Sequence, residues 1–78
     1  MTVVYSKPNY MQCKMVKKWL TEHEVPFDTV DITEDKTAID KLQMMGFKTV
    51  PVTIQSDFVF AGFDVKGLRK LEEMTNEA

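Results

Sequence analysis

The spacing of apolar and polar positions changes several times along the chain, and each change marks an element. Thr2 to Ser6 is a β-branched and aromatic run, which predicts a strand. Ser6-Lys7-Pro8-Asn9 is turn chemistry, since Pro sets one φ angle and Asn tolerates a tight bend. From Tyr10 to about His23 the period becomes helical: Val16 and Leu20 recur four apart, as do Met15 and Trp19, with Lys14, Lys17 and Lys18 on the remaining surface. Val25-Pro26 ends that helix, because Pro disfavours helical geometry in the residue before it. Phe27 to Ile32 alternates apolar with polar, slipping once after Thr29, and predicts a second strand.

Thr33 is the expected N-cap of a second helix, with Glu34 and Asp35 in its first turn, where the dipole favours acids. Ile39, Leu42 and Met45 mark its buried face, and Gly46 suits its stop. Val50 to Ile54 predicts a third strand that opens at a proline, where the missing N–H is tolerated. Ser56-Asp57 is a turn and Phe58-Val59-Phe60 a fourth strand, closing a hairpin. Asp64 is expected to cap a last helix through about Glu73, with Val65, Leu68 and Leu71 inward and Thr75 to Ala78 frayed. The order β-α-β-α-β-β-α predicts an α/β fold, with parallel strands in the first crossover and antiparallel strands in the hairpin. The sheet is then small, mixed and four-stranded, flanked by three helices. Periodicity alone leaves an α+β arrangement open.

Length and composition narrow the class. Seventy-eight residues suit one domain, residues 1–78, and the 44% apolar content suffices for one compact core. A lone cysteine forms no internal disulfide, and one Cys with one His cannot build a four-ligand zinc site, so neither metal nor cofactor is expected. The opening Met-Thr-Val-Val-Tyr-Ser has no basic or apolar leader character, and no apolar run approaches a membrane span. A soluble, cytoplasmic, monomeric protein is expected. A formal net charge of −2 argues against general nucleic-acid binding. Charge is nonetheless uneven: Lys7, Lys14, Lys17 and Lys18 stand without an acid in residues 1–20, and seven acids follow in residues 22–40. That reads either as a solvated helix face or as a first helix that meets an acidic partner segment.

Three segments carry candidate chemistry: Tyr5-Ser6-Lys7-Pro8-Asn9-Tyr10-Met11-Gln12-Cys13-Lys14, Gly46-Phe47-Lys48-Thr49-Val50-Pro51-Val52 and Phe60-Ala61-Gly62-Phe63. In order and spacing they resemble the signature segments of NrdH-type glutaredoxin-like redoxins, over nearly the whole chain. The resemblance implies a thioredoxin fold. It also implies an electron carrier between a flavoprotein thioredoxin reductase and class Ib ribonucleotide reductase, working through a Cys-x-x-Cys pair, with glutathione as an alternative partner. In such a pair the first thiol sits at a helix N-terminus, where free amides and the dipole favour the thiolate, and it attacks the target disulfide. The second, one turn on, resolves the mixed disulfide.

By this resemblance Tyr10 stands at the attacking position and Cys13 at the resolving one. A phenol with an ordinary pKa of about 10 is protonated at neutral pH and cannot relay two electrons as a sulfur pair does, so dithiol cycling within this chain is chemically closed. Cys13 is then a small buried hydrophobe, a lone thiol capable of mixed disulfides, or the remnant of an active parent altered at position 10. The resemblance further implies a partner-binding groove of Lys7, Met11, Gln12, Thr49, Val50, Pro51, Gly62 and Phe63. Pro51 would follow a cis peptide and leave the Val50 backbone free to pair with an extended peptide. Gly62 would permit close approach or a positive φ, while Phe63 suits the core as well as the groove. Asp64 and Val65 depart from the family's usual basic residue and proline. Outside the motifs, His23 is expected at the helix end facing solvent, Trp19 under the sheet edge or half-exposed, and the methionines mostly in the core, with Met11 exposed.

Overall fold

The computed structural model describes residues 1–76. Its elements are β1 (Thr2–Ser6), α1 (Met11–Glu22), β2 (Phe27–Asp31), α2 (Lys36–Met44), β3 (Val52–Gln55), β4 (Phe58–Ala61) and α3 (Val65–Asn76). The strands form one sheet in the order β2-β1-β3-β4. β1 runs parallel to β2, with Val4 opposite Thr29, and antiparallel to β3, with Val4 opposite Thr53. β3 and β4 form the expected hairpin. This is the mixed α/β sheet with three helices anticipated from the sequence.

Strand alternation sorts the core into two layers. Val4 points to one face, where α1 supplies Val16 and Leu20 and α3 supplies Leu68 and Leu71. Tyr5 points to the other, where α2 supplies Ala38 and Leu42 and the chain adds Val50, Val52 and Cys13. Each fully buried Leu or Val contributes about 1.5–3 kcal/mol, so the two layers account for most of the hydrophobic stabilisation. Among the described residues, the Thr53 hydroxyl is a buried polar atom without a hydrogen-bond partner.

Helix starts differ from expectation at one point. Thr33 does not cap α2. Its amide and hydroxyl donate to Asp31 Oδ1 at 2.9 and 2.6 Å, closing a turn at the end of β2. The helix begins at Lys36, two residues later than expected, and Asp35, expected inside it, is the cap, accepting from the Ala38 amide at 3.1 Å. Two potential caps compete here, and the aspartate that ends the strand captures the threonine first. Asp64 does cap α3, accepting from the Lys66 and Gly67 amides.

Helix ends follow a common geometry. At the end of α2 the Gly46 amide donates to the Gln43 carbonyl and the Phe47 amide to the Leu42 carbonyl. Gly46 takes φ +91°, the left-handed geometry this cap requires. Met45, expected inward, lies exposed beyond the last turn, as does Val65 at the start of α3, while Ile39 is half-buried. Helix α1 closes in the same way with a non-glycine, Glu24 at φ +57°, which lets the Val25 amide reach the Leu20 carbonyl. α3 continues to Asn76, so Thr75 and Asn76 are helical rather than frayed, and Thr75 Oγ1 donates to the Leu71 carbonyl. Positions 77 and 78 of that expectation lie outside the described residues. His23 caps α1, stacks on the half-exposed Trp19 with ring centroids 3.7 Å apart, and meets Glu72 of α3 at 3.0 Å.

Two measurements follow. Gly67 lies buried in α3, and a methyl there would sit 2.8 Å from Cγ of Phe60, a ring held near its stem in the core. Alanine in place of a helical glycine ordinarily gains about 1 kcal/mol, but overpacking a tight core costs about 1–3 kcal/mol. Overpacking wins, and Gly67→Ala lowers the Tm by roughly 5 °C in a thermal melt followed by circular dichroism; an unchanged or higher Tm refutes the packing assignment. The second concerns Asp31, whose carboxyl is held below its ordinary value by the Thr33 hydroxyl, then the Thr33 amide, with Lys17 adding attraction. A depressed folded pKa stabilises above the unfolded value, and that stabilisation is lost as pH falls through the folded one. Carboxyl NMR of the native protein gives an Asp31 midpoint below that of an ordinary aspartate, and Thr33→Ala moves it upward.

Candidate functional site

Parallel strand β1 delivers the chain to Ser6, and the residues that follow must turn back over the end of the sheet to start α1. Asn9 makes that turn in the left-handed region at φ +63°. Tyr10 is then the N-cap of α1, with extended backbone and no side-chain cap bond, because a phenol on a rigid ring does not fold back to accept from first-turn amides as Ser or Asp would. The ring instead lies half-buried against the layer that holds Cys13, and the Lys7 ammonium sits over it, 4.6 Å from its centroid. Cys13 is sealed, 1% exposed, among residues of β1, α2 and β3. Met11, the first residue of α1, is open to solvent, 67% exposed.

The second wall comes from the segment after α2. The cap at Gly46 turns the chain back so that Phe47 returns toward Leu42, and Lys48 and Thr49 lead to Val50. The Val50–Pro51 peptide is cis. The Pro51 carbonyl accepts from the Gly62 amide at 2.8 Å, tying this segment to the end of β4. Among the described residues, the N–H and C=O of Val50 make no backbone hydrogen bond. Gly62 holds φ +76°, and a methyl there would meet Gln12 Oε1 only at ordinary contact distance, 3.5 Å. Backbone conformation, rather than space, requires the glycine.

Between these walls lies a pocket of about 250 Å³. Four of the sequence-predicted residues line it: Lys7, Tyr10, Thr49 and Val50. Its floor comes from Ile32, Ile39, Leu42 and Phe47, with Gln43 and Lys48 at the side. Those six were not singled out from the sequence. Phe47 and Lys48 lay inside a recognised segment, but the half-exposed face of α2 carried no local sign that it faces the Tyr10 loop. No acid is among the lining residues, so the pocket is apolar with a positive rim on a chain of net charge −2. The other predicted residues sit elsewhere. Met11 and Gln12 are exposed at the helix start, Pro51 is buried, and Cys13 is buried in the cluster that Tyr10 packs against. Phe63 is half-buried against the opposite core layer, so it serves packing rather than the pocket. Among the described residues no cluster of His, Cys, Asp and Glu could hold a metal ion, and no helix is long and apolar enough to cross a membrane.

Comparison with known proteins agrees with this geometry. Residues 2–59 match the Glutaredoxin family. The glutaredoxin-like protein NrdH of Lactococcus lactis subsp. lactis is 52% identical over 71 residues, covering 91% of this chain and 99% of that relative. Among solved structures, the NrdH-redoxin from Escherichia coli superposes with a TM-score of 0.87 at 23% identity, covering 90% of this chain and 92% of that one. A buckwheat glutaredoxin–glutathione complex superposes at 0.81 with 27% identity, covering 97% of this chain and 76% of that one.

Burial of the lone thiol is directly measurable. The native protein reacts with dithionitrobenzoate orders of magnitude more slowly than a free thiol, and releases one equivalent once guanidinium unfolds it. Full release within mixing time in native buffer contradicts the sealed position of Cys13.

Proposed function

The chain belongs to the glutaredoxin family and, within it, to the NrdH-type redoxins, and from that membership we propose a carrier scaffold whose electron transfer is interrupted at its first step. Tyr10 takes the place of the attacking cysteine. Reduction of a disulfide needs a thiolate that opens the S–S bond and a second sulfur that releases the product as the pair oxidises. Cys13 supplies only the second sulfur. The observation that carries this reading is the pairing of a phenol at the N-cap of α1 with a thiol sealed in the cluster that the phenol packs against. Single-thiol chemistry at Cys13 is disfavoured by the same burial.

What persists is the docking apparatus. The free Val50 backbone edge suits strand-like pairing with an extended segment, and Lys7 and Lys48 suit one bearing negative charge. Thr49 lines that groove, Pro51 and Gly62 hold the segment behind it through their backbone hydrogen bond, and Met11 and Gln12 flank it at the start of α1, while Phe63 serves the opposite core layer. On this reading the chain acts in the cytoplasm as a monomer of one domain, residues 1–78. It engages the ribonucleotide reductase and the flavoprotein thioredoxin reductase of an NrdH system, or glutathione, without turning over. The pocket thus favours a second description of the same molecule, as a redox-inactive binding module of thioredoxin fold. Deoxyribonucleotide synthesis is the process such a scaffold would serve.

Restoring the missing sulfur tests the assignment. Residues three apart on a helix share a face, so a thiol at position 10 can reach Cys13. Tyr10→Cys raises reduction of insulin disulfides, driven by NADPH and a flavoprotein thioredoxin reductase, by orders of magnitude, and Cys13→Ser in that background abolishes turnover. An unaltered chain that matches the Tyr10→Cys rate overturns the proposal, as does a Tyr10→Cys variant that folds and stays inert.

A further inference from the structure

The helix start lacks an accessible thiol, yet it does not lack an accessible sulfur. Met11 follows the N-cap directly and is 67% exposed, while Cys13, two residues on, is 1% exposed and packed in one cluster with Tyr5, Ala38, Leu42, Val50 and Val52. Met15, one turn further along the same helix face, is partly open at 39%, and Met44, at the far end of α2, is 90% exposed. A thioether and a thiol meet oxidants by different rules. A thiol reacts as its thiolate, so its rate follows pH and access. A thioether reacts through a sulfur lone pair that no proton occupies, so access alone governs it.

We propose that Met11 is a reversible oxidation site for hydroperoxides, and that oxidant chemistry at this helix start takes place at its thioether rather than at Cys13. The Sδ lone pair attacks the terminal peroxide oxygen, the O–O bond breaks, and an S=O bond forms. Sulfur loses two electrons, and the peroxide leaves as water or an alcohol. Repair runs the other way: a methionine sulfoxide reductase with a dithiol reductant supplies two electrons and two protons, the oxygen departs as water, and the dithiol becomes a disulfide. The oxygen transfer is independent of any partner. Its consequence rests on the docking role proposed above: a sulfoxide places a polar acceptor on the open start of α1, next in sequence to Tyr10, where a docked partner would otherwise meet an apolar methionine.

The test treats the unaltered chain with limiting hydrogen peroxide, quenches it with catalase, alkylates thiols after unfolding, and maps each sulfur by peptide mass spectrometry. Met44 is the internal standard for an open thioether. Met11 acquires one oxygen at a rate within tenfold of Met44, and Cys13 is recovered as an alkylatable thiol. The Met11 rate changes by less than about twofold between about pH 6 and pH 9, whereas an ordinary exposed thiol gains about tenfold per pH unit below its pKa. Met11→Leu loses the added oxygen at that peptide and leaves Met44 oxidation unchanged. The pair of epimer-specific sulfoxide reductases with dithiothreitol returns Met11 in the folded protein to its starting mass. A Met11 rate more than tenfold below that of Met44, earlier oxidation of Cys13, a thiol-like pH profile, or repair only after unfolding each overturns the proposal. Because the mapping uses no partner, failure of the docking role leaves this result standing, and failure here leaves that role untouched.

Discussion

Strand β1 is hydrogen-bonded along both edges and covered on both faces, and the rest of the molecule is arranged around that double enclosure. Its two neighbours, parallel β2 and antiparallel β3, satisfy its backbone. Adjacent side chains, Val4 and Tyr5, anchor opposite layers. A one-residue slip would exchange the two layers, so the register is strongly held. The chain therefore leaves the sheet at a defined point after Ser6, and the Lys7–Tyr10 turn lies beside the segment that enters β3. The pocket exists because these two connections share one end of the sheet.

That end of the sheet carries a phenol at the start of α1. The uncapped start of α1, the free Val50 edge and the positive rim are features from which a thiolate and an anionic partner would both benefit. The Tyr10 ring packs against the cluster that holds Cys13, and the Lys7 ammonium sits over the ring. The lone thiol becomes part of the core, where it packs as a small apolar group.

Where local chemistry decides an outcome, the residues could be read directly. The first strand, the periodicity of α1, the glycine stop at Gly46 and the Asp64 cap needed only near neighbours in the chain and stand where the pattern placed them, while the third strand, expected from Val50 to Ile54, begins beyond the proline at Val52 and ends at Gln55. The cap of α2 was misread because Thr33 and Asp35 are equivalent candidates locally, and the choice fell to the Asp31 carboxylate at the end of β2. Met45 and Val65 were placed inward by helical spacing, but both sit at helix ends that project past the layer they should cover.

The sequence by itself determined the element order and the fact that one sulfur cannot complete a two-electron exchange within the chain, and it favoured the mixed sheet that the structure then settled. Those follow from periodicity and from counting atoms. Only the tertiary structure decided that Cys13 is sealed, that Ile32, Ile39, Gln43 and Phe47 share a pocket with Tyr10, and that Phe63 turns to the core. Burial and pocket walls arise where segments distant in the chain meet, and no local pattern records which surfaces those meetings cover.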